Sequence, residues 1–217
     1  MDRLCAAYDI RMTDEEYSMY ERYTGMLLEK NKVMNLTRIT EPEQVSEKHI
    51  LDSLLIFRYG IVGENKSVID VGTGAGFPGV VMKIHTPSLE ITLLDSLRKR
   101  IDFLKEVSEN TYAMNCIHSR AEDAGRGEMR ESFDIACARA VAAFPVLCEY
   151  CLPLVKVGGV FISMKGPGED IDTSVVSVYG GEVVKDERYT LPCGDERRII
   201  TVKKTAETPK KYPRRKI

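Results

Sequence analysis

The stretch Val68-Ile69-Asp70-Val71-Gly72-Thr73-Gly74-Ala75-Gly76-Phe77-Pro78-Gly79 constrains this chain more than any other. A short strand-forming run enters a glycine-rich turn, and an apolar helical segment follows. Glycines adopt positive φ and let backbone approach a ligand closely. The N-terminus of the helix adds a partial positive charge. A strand that turns through glycines into a helix is the opening unit of an open α/β sheet with a ligand at its carboxyl edge.

The rest of the chain fits that unit. From Lys66 onward strands alternate with helices: strands are expected at Ser67–Val71, Glu90–Asp95, Asn115–His118, Phe133–Ala138 and Gly159–Lys165. An amphipathic helix with Leu97, Ile101, Leu104 and Val107 on one side separates the second from the third. This alternation implies parallel pairing and right-handed crossovers. Glu182–Leu191 and Arg197–Lys203 read instead as an antiparallel hairpin about the turn Pro192-Cys193-Gly194-Asp195, closing one sheet edge.

The first sixty residues read as helical. Thr13 and Glu16 fit a capping box, with Tyr17, Tyr20, Leu27 and Leu28 at roughly helical spacing behind it. Thr40 and Glu43 suggest a second box, with Pro42 in the first turn, and a helix running to Gly60. At 217 residues the chain can build one sizeable core but not two. The expectation is one domain: a helical cap over 1–60, a cofactor-binding α/β core over 61–204 and a basic tail over 205–217.

Composition excludes several classes. Hydrophobic residues make up 43% and charged residues 29%, an ordinary soluble balance. No apolar run is long enough to cross a bilayer, and the N-terminus lacks a secretory pattern, so the cytoplasm is expected. Of six cysteines, Cys148 and Cys151 form a C-x-x-C. It reads as a redox or metal pair, or as two core residues one helical turn apart. The second reading is favoured because no further Cys/His cluster accompanies it, and no metal is expected. The net charge of −2 gives no whole-protein nucleic-acid signal. Yet from Lys203 to Ile217 there are seven Lys/Arg and one acid. That tail reads equally as a solvated, disordered end or as a phosphate-binding arm.

Gly74, Gly76 and Gly79 satisfy G-x-G-x-x-G, the pattern of a dinucleotide site. Three features favour another ligand. The glycines begin at Gly72, directly after the strand. Asp70 precedes them, and a carboxylate suits the ammonium of a sulfonium amino acid but not a pyrophosphate. Phe77-Pro78 opens the helix, so a third glycine is less needed there. Asp95 ends the second strand, where an acid accepts from ribose hydroxyls; it is alternatively a helix N-cap. Ala121-Glu122, after the third strand, suits an adenine. Arg139, after the fourth, stands at the ligand edge. The ligand expected is S-adenosylmethionine.

With these residues in view the chain resembles the bacterial 16S rRNA guanine-N7 methyltransferase G family, also called glucose-inhibited division protein B. The resemblance rests on Asn35-Leu36-Thr37, His49 with Asp52-Ser53-Leu54, Asp70 to Gly79, Leu93-Leu94-Asp95-Ser96 with Lys99-Arg100, Ala121-Glu122 and Arg139-Ala140. It continues through Lys165-Gly166, Arg197-Arg198 and Pro209-Lys210-Lys211-Tyr212-Pro213-Arg214. After that last motif, family members usually carry a further Gly/Pro/Lys-containing stretch.

The resemblance implies a Rossmann-like class I methyltransferase fold. It implies that Gly72, Phe77, Ala121, Glu122 and Arg139 contact S-adenosylmethionine and that Asp95 holds the ribose. Asp70, Gly74 and Gly76 complete the expected cofactor set. The implied acceptor is guanine N7 in the decoding-region loop of 16S rRNA, with the rRNA or the small ribosomal subunit as partner and a monomeric enzyme. N7 carries no proton, so transfer needs alignment rather than a base. It faces the major groove, which in A-form RNA side chains cannot reach, so a looped or extruded guanine is expected.

Substrate-side candidates are Arg139, Lys165, His49 and Asp52. Lys165 precedes Gly166-Pro167-Gly168 and reads as a ligand for a phosphate or the guanine O6. His49 and Asp52 share a helix face and read equally as a pair docking the cap onto the sheet. Other readings are an NAD-dependent oxidoreductase, a non-catalytic RNA-binding or ribosome-assembly module, and a methyltransferase with a small-molecule or protein acceptor.

Overall fold

The structure, a computed structural model, describes residues 5–139, 142–167 and 172–215. Ala140 and Val141, Gly168, and the tail residues Lys216 and Ile217 lie outside the described residues.

The first long helix, α1 (Asp14–Met34), starts at the expected box: Thr13 Oγ1 accepts from Glu16 N, and Glu16 Oε2 accepts from Thr13 N at 2.7 Å. Its inward face is Tyr20, Tyr23 and Leu27, one stripe at i, i+3 and i+7. Residues 42–59 then form one irregular helical stretch: α2 (Pro42–Val45), a π turn (Ser46–Leu51), α3 (Asp52–Leu54) and a 3-10 turn (Leu55–Tyr59), stopped by Gly60 at φ +64°. The second capping box does not form. Pro42 holds the preceding Glu41 extended, at ψ 126°, so Glu41 becomes the N-cap and Thr40 lies one residue too early.

Seven strands follow: β1 (Ser67–Val71), β2 (Glu90–Asp95), β3 (Asn115–His118), β4 (Phe133–Arg139), β5 (Val155–Lys165), β6 (Gly181–Thr190) and β7 (Glu196–Lys204). Their order is β3-β2-β1-β4-β5-β7-β6. The first five run parallel, while β7 runs antiparallel between β5 and β6. The doubly wound sheet and its terminal hairpin are thus as expected, with β6 rather than β7 at the edge. Strand β4 extends one residue further, to include Arg139. Strand β5 begins four residues earlier, where a register shift between Phe133 and Ile135 admits the extra length. The order reverses between β1 and β4, the switch point at which such sheets bind ligands.

Helices α4 (Gly79–His85) and α5 (Arg98–Asn110) pack with the cap over one sheet face. Helices α6 (Ala121–Ala124) and α7 (Phe144–Cys151) cover the other. In α5 the buried residues are Ile101, Phe103, Leu104 and Val107, whereas Leu97 is 52% exposed. Leu97 is the N-cap, with extended backbone, and so leaves the helical stripe. Cys148 and Cys151 are fully buried core residues, and burial raises both thiols. None of the described helices is long and apolar enough to cross a membrane.

The tail is neither a disordered end nor a detached arm over residues 208–215. Arg130 donates to the carbonyls of Thr208 and Tyr212, Arg126 donates to Pro213 O, and Tyr212 packs edge-on against Tyr179. Arg214 forks onto the Glu149 carboxylate at 2.7 and 2.9 Å. Glu149 is fully buried, and these donors hold its carboxyl below the usual range. The fully buried Lys204 reaches Glu131, Leu152 O and Thr208 Oγ1, and Lys203 donates to Gly158 O, so these tail cations, like Arg214, are engaged internally.

Candidate active site

A cavity of about 710 Å³ opens at the carboxyl ends of β1, β2, β4 and β5, beneath the cap. That lies within the ordinary size range of a small-molecule site. Its lining brings together eight of the twelve expected site residues: His49, Asp52, Gly72, Gly74, Phe77, Asp95, Arg139 and Lys165.

The glycine loop supplies the floor. Gly72 and Gly74 take φ of +69° and +61°. A Cβ placed on Gly74 would meet nothing nearer than Gly72 O at 3.9 Å and would stand in the open cavity, so its absence leaves room for a ligand. Gly76 serves another purpose. A Cβ there would meet Val80 Cγ2 at 2.5 Å and Tyr23 Oη at 2.8 Å. Its lack of a side chain lets α1 dock, and Tyr23 Oη then donates to Ala75 O at 2.8 Å.

Asp70 does not face the cavity either. It is fully buried, and its Oδ2 accepts from Thr73 Oγ1 at 2.7 Å and Gly79 N at 2.9 Å. It ties the two ends of the glycine loop together, which corrects the expectation that it meets a ligand's ammonium. Burial pushes its carboxyl up to about 6 against those donors, and Oδ1 has no partner among the described residues. Ala121 and Glu122 begin α6, after β3, and lie outside the cavity lining, with Glu122 buried.

Asp95 is not the N-cap of α5, which is Leu97, but it supports that helix from two residues earlier. Its Oδ1 accepts from Leu97 N at 2.8 Å, supporting the start of α5. Its Oδ2 accepts from Gly74 N at 3.0 Å and from Arg100 at 3.2 Å while lining the cavity. A carboxylate with open lone pairs at that rim, beside exposed glycine backbone, fits the ribose of an adenosyl group.

Opposite lies a polar cluster built on Phe77. The His49 ring stacks on Phe77 at 4.5 Å between centroids, and the Arg139 guanidinium sits 4.9 Å from the Phe77 centroid. Arg139 donates to Lys48 O, Asp52 Oδ2 and His49 Nδ1, at 3.1, 3.3 and 3.1 Å. His49 Nδ1 lies 3.1 Å from both the Arg139 guanidinium and Lys48 O, and Nε2 lies 2.8 Å from Thr37 Oγ1, so both ring nitrogens are engaged. Burial, then the Arg139 charge, lowers His49 to about 3, so it is neutral at physiological pH. Asp52 also accepts from Tyr189 Oη at 2.7 Å and Arg197 Nε at 3.4 Å. Lys165 donates to Ala142 O.

The pair His49 and Asp52 pins the cap to β4, β6 and β7, as the docking reading expects, and it also lines the cavity. Thr37, Arg100, Tyr189 and Arg197 were not among the expected site residues. Three of them fall inside the family-like motifs, which was the available signal; Tyr189 has none, lying in an alternating strand pattern like any other.

Residues 16–177 match the family model for rRNA small subunit methyltransferase G. A protein named ribosomal RNA small subunit methyltransferase G in Alkaliphilus metalliredigens is 47% identical, over 97% of this chain and 92% of its own length. The protein of the same name in Alkaliphilus oremlandii is 48% identical, over 95% and 90%. Among solved structures, the 16S rRNA (adenine(1408)-N(1))-methyltransferase from Catenulisporales acidiphilia superposes with a TM-score of 0.56 at 12% identity, over 70% of this chain and 88% of that one, a likeness of fold.

Proposed function

This chain belongs to the rRNA small subunit methyltransferase G family, and on that premise we propose that it methylates N7 of one guanine in the decoding-region loop of 16S rRNA. It is an S-adenosylmethionine-dependent rRNA methyltransferase. The cofactor supplies an electrophilic methyl on a sulfonium. Asp95 and the Gly72–Gly74 backbone are the groups that would hold the cofactor, Asp95 as acceptor for its ribose hydroxyls. Phe77 and Arg139 line the same cavity and would help to position the cofactor against the substrate.

The observation that carries the choice of N7 is the state of the cavity's acid–base groups. His49 is neutral with both ring nitrogens engaged. Asp52 is held by two arginines and a tyrosine. Asp95 is held by two backbone N–H groups and Arg100. None is poised to remove a proton. An exocyclic amine must lose one on methylation, whereas N7 presents a lone pair and has no proton to lose. Alignment alone supplies roughly 7–11 kcal/mol of barrier reduction. Arg139 and Lys165 are the cavity cations suited to the guanine O6, which lies beside N7 on the same base edge.

A 16S rRNA transcript in which 7-deazaguanine replaces guanine tests this reading. It must accept no methyl group while still competing with the normal transcript; transfer to the deaza transcript would move the acceptor to another atom. A ribosomal substrate favours a cytoplasmic protein.

A further inference from the structure

We infer that the phosphates of the RNA strand entering the cavity rest on a rim of exposed cations at its mouth, Arg38 on the cap side and Arg98 with Lys99 on the sheet side. The inference rests on the rRNA reading and adds where the polynucleotide is held. Thr37 and Ile39, on either side of Arg38, line the methyl-transfer cavity. Ser96 and Arg100, on either side of Arg98 and Lys99, line it too. Both segments therefore border the cavity, and all three cations are exposed. Arg120, also exposed, prolongs the sheet side: it follows β3, whose His118 stands opposite Asp95 in the register.

Other cations of the site are engaged within the chain: Arg100 pairs with Asp95, Lys48 with Asp195 and Arg139 with Asp52. The side chains of Arg38, Arg98 and Lys99 make no hydrogen bond or ion pair among the described residues. Asp102, one turn further along α5, pairs with neither Arg98 nor Lys99. Helix α5 opens on Arg98, Lys99 and Arg100 with no acid in its first turn. The partial positive charge of a helix N-terminus favours acids there, so the arrangement works against the helix. The cofactor does not account for it. S-adenosylmethionine carries a sulfonium, an ammonium and one carboxylate, hence a net positive charge that more cations at the mouth do not attract. A polyanion gains from each of them. The plainer account is a solvated charged face, which leaves RNA affinity untouched.

The two accounts separate in the salt dependence of binding to a fluorescent 16S rRNA transcript, measured for the wild type, Arg38→Gln, the double variant Arg98→Gln/Lys99→Gln, and Lys66→Gln. Lys66 is a charge-matched control, an exposed cation just before β1 at the opposite edge of the sheet. Arg38→Gln is expected to bind about 3- to 10-fold more weakly, with the slope of log K against log salt shallower by about 0.7–0.9. The double variant should lose about 10- to 100-fold, with the slope shallower by about 1.4–1.8, as for two phosphate contacts. Its affinity for adenosylhomocysteine and its kcat on saturating small ribosomal subunits should stay at wild-type values, the loss appearing in KM. Its thermal midpoint should not fall, because neither cation has a partner to lose. Lys66→Gln should match the wild type throughout. An unchanged slope and affinity in the double variant, or an equal loss in Lys66→Gln, would overturn the rim and leave the rRNA reading standing. A lowered thermal midpoint in the double variant would overturn it too, by giving the two cations a structural role. A wild-type protein that neither binds nor methylates RNA would overturn both the rim and the rRNA reading.

Discussion

The Arg139 guanidinium lies over the Phe77 ring, 4.9 Å from its centroid, at the end of β4 beside the glycine loop. One side chain thereby joins three parts of the chain: the loop that carries Phe77, the π turn that carries His49, and the strand that carries Arg139 itself.

Arg139→Ala should lower kcat/KM for methyl transfer by at least about 100-fold, a loss of near 3 kcal/mol of transition-state alignment. The fold should persist, because Arg197 and Tyr189 still satisfy Asp52. Circular dichroism and thermal unfolding check the second statement. Arg139→Lys should rescue poorly, since an ammonium cannot fork onto Asp52 and His49 while lying flat on a ring. Wild-type turnover by either variant would remove Arg139 from the site.

Asp95→Asn should weaken adenosylhomocysteine binding by about 10- to 100-fold, the worth of one or two hydrogen bonds to a charged acceptor. Calorimetric titration measures it directly. An unchanged Kd would reduce Asp95 to its helix-supporting role at Leu97.

Stability should fall on acidification in a way that His49 controls. Its pKa is about 3 in the folded state and near 6.5 in the unfolded chain, so between those values the unfolded state binds more protons. Stability then rises with pH through that window and is lost as pH falls from 6.5 toward 3. Asp70, raised to about 6, acts with the opposite sign between 3.8 and 6. Comparison with His49→Asn isolates the first effect: the variant should lose less stability than the wild type between pH 7 and pH 5 in denaturant titrations. Parallel pH profiles would show that His49 is not buried neutral.

Much of this architecture is written locally. A glycine loop after an apolar strand, and the alternation that follows, suffice to place β1 to β5 within a few residues, because local pattern and tertiary role coincide there. The departures come where distant residues decide. Asp70 and Gly76 look like ligand contacts in sequence, yet one closes the loop and the other admits Tyr23 from 53 positions earlier. Tyr189 and Arg197 reach Asp52 across 137 and 145 positions, and no periodicity links them. The tail's charge pattern suggested solvent or phosphate, but the buried Glu149 that receives Arg214 sits in an otherwise apolar helix and gives no sign of its partner.

The most direct measurement is transfer from labelled S-adenosylmethionine to small ribosomal subunits taken from cells lacking this gene, with the modified nucleoside mapped by mass spectrometry. The account predicts one 7-methylguanosine at a single loop position of 16S rRNA. A methyl group on another atom, on another RNA or on a ribosomal protein would contradict it.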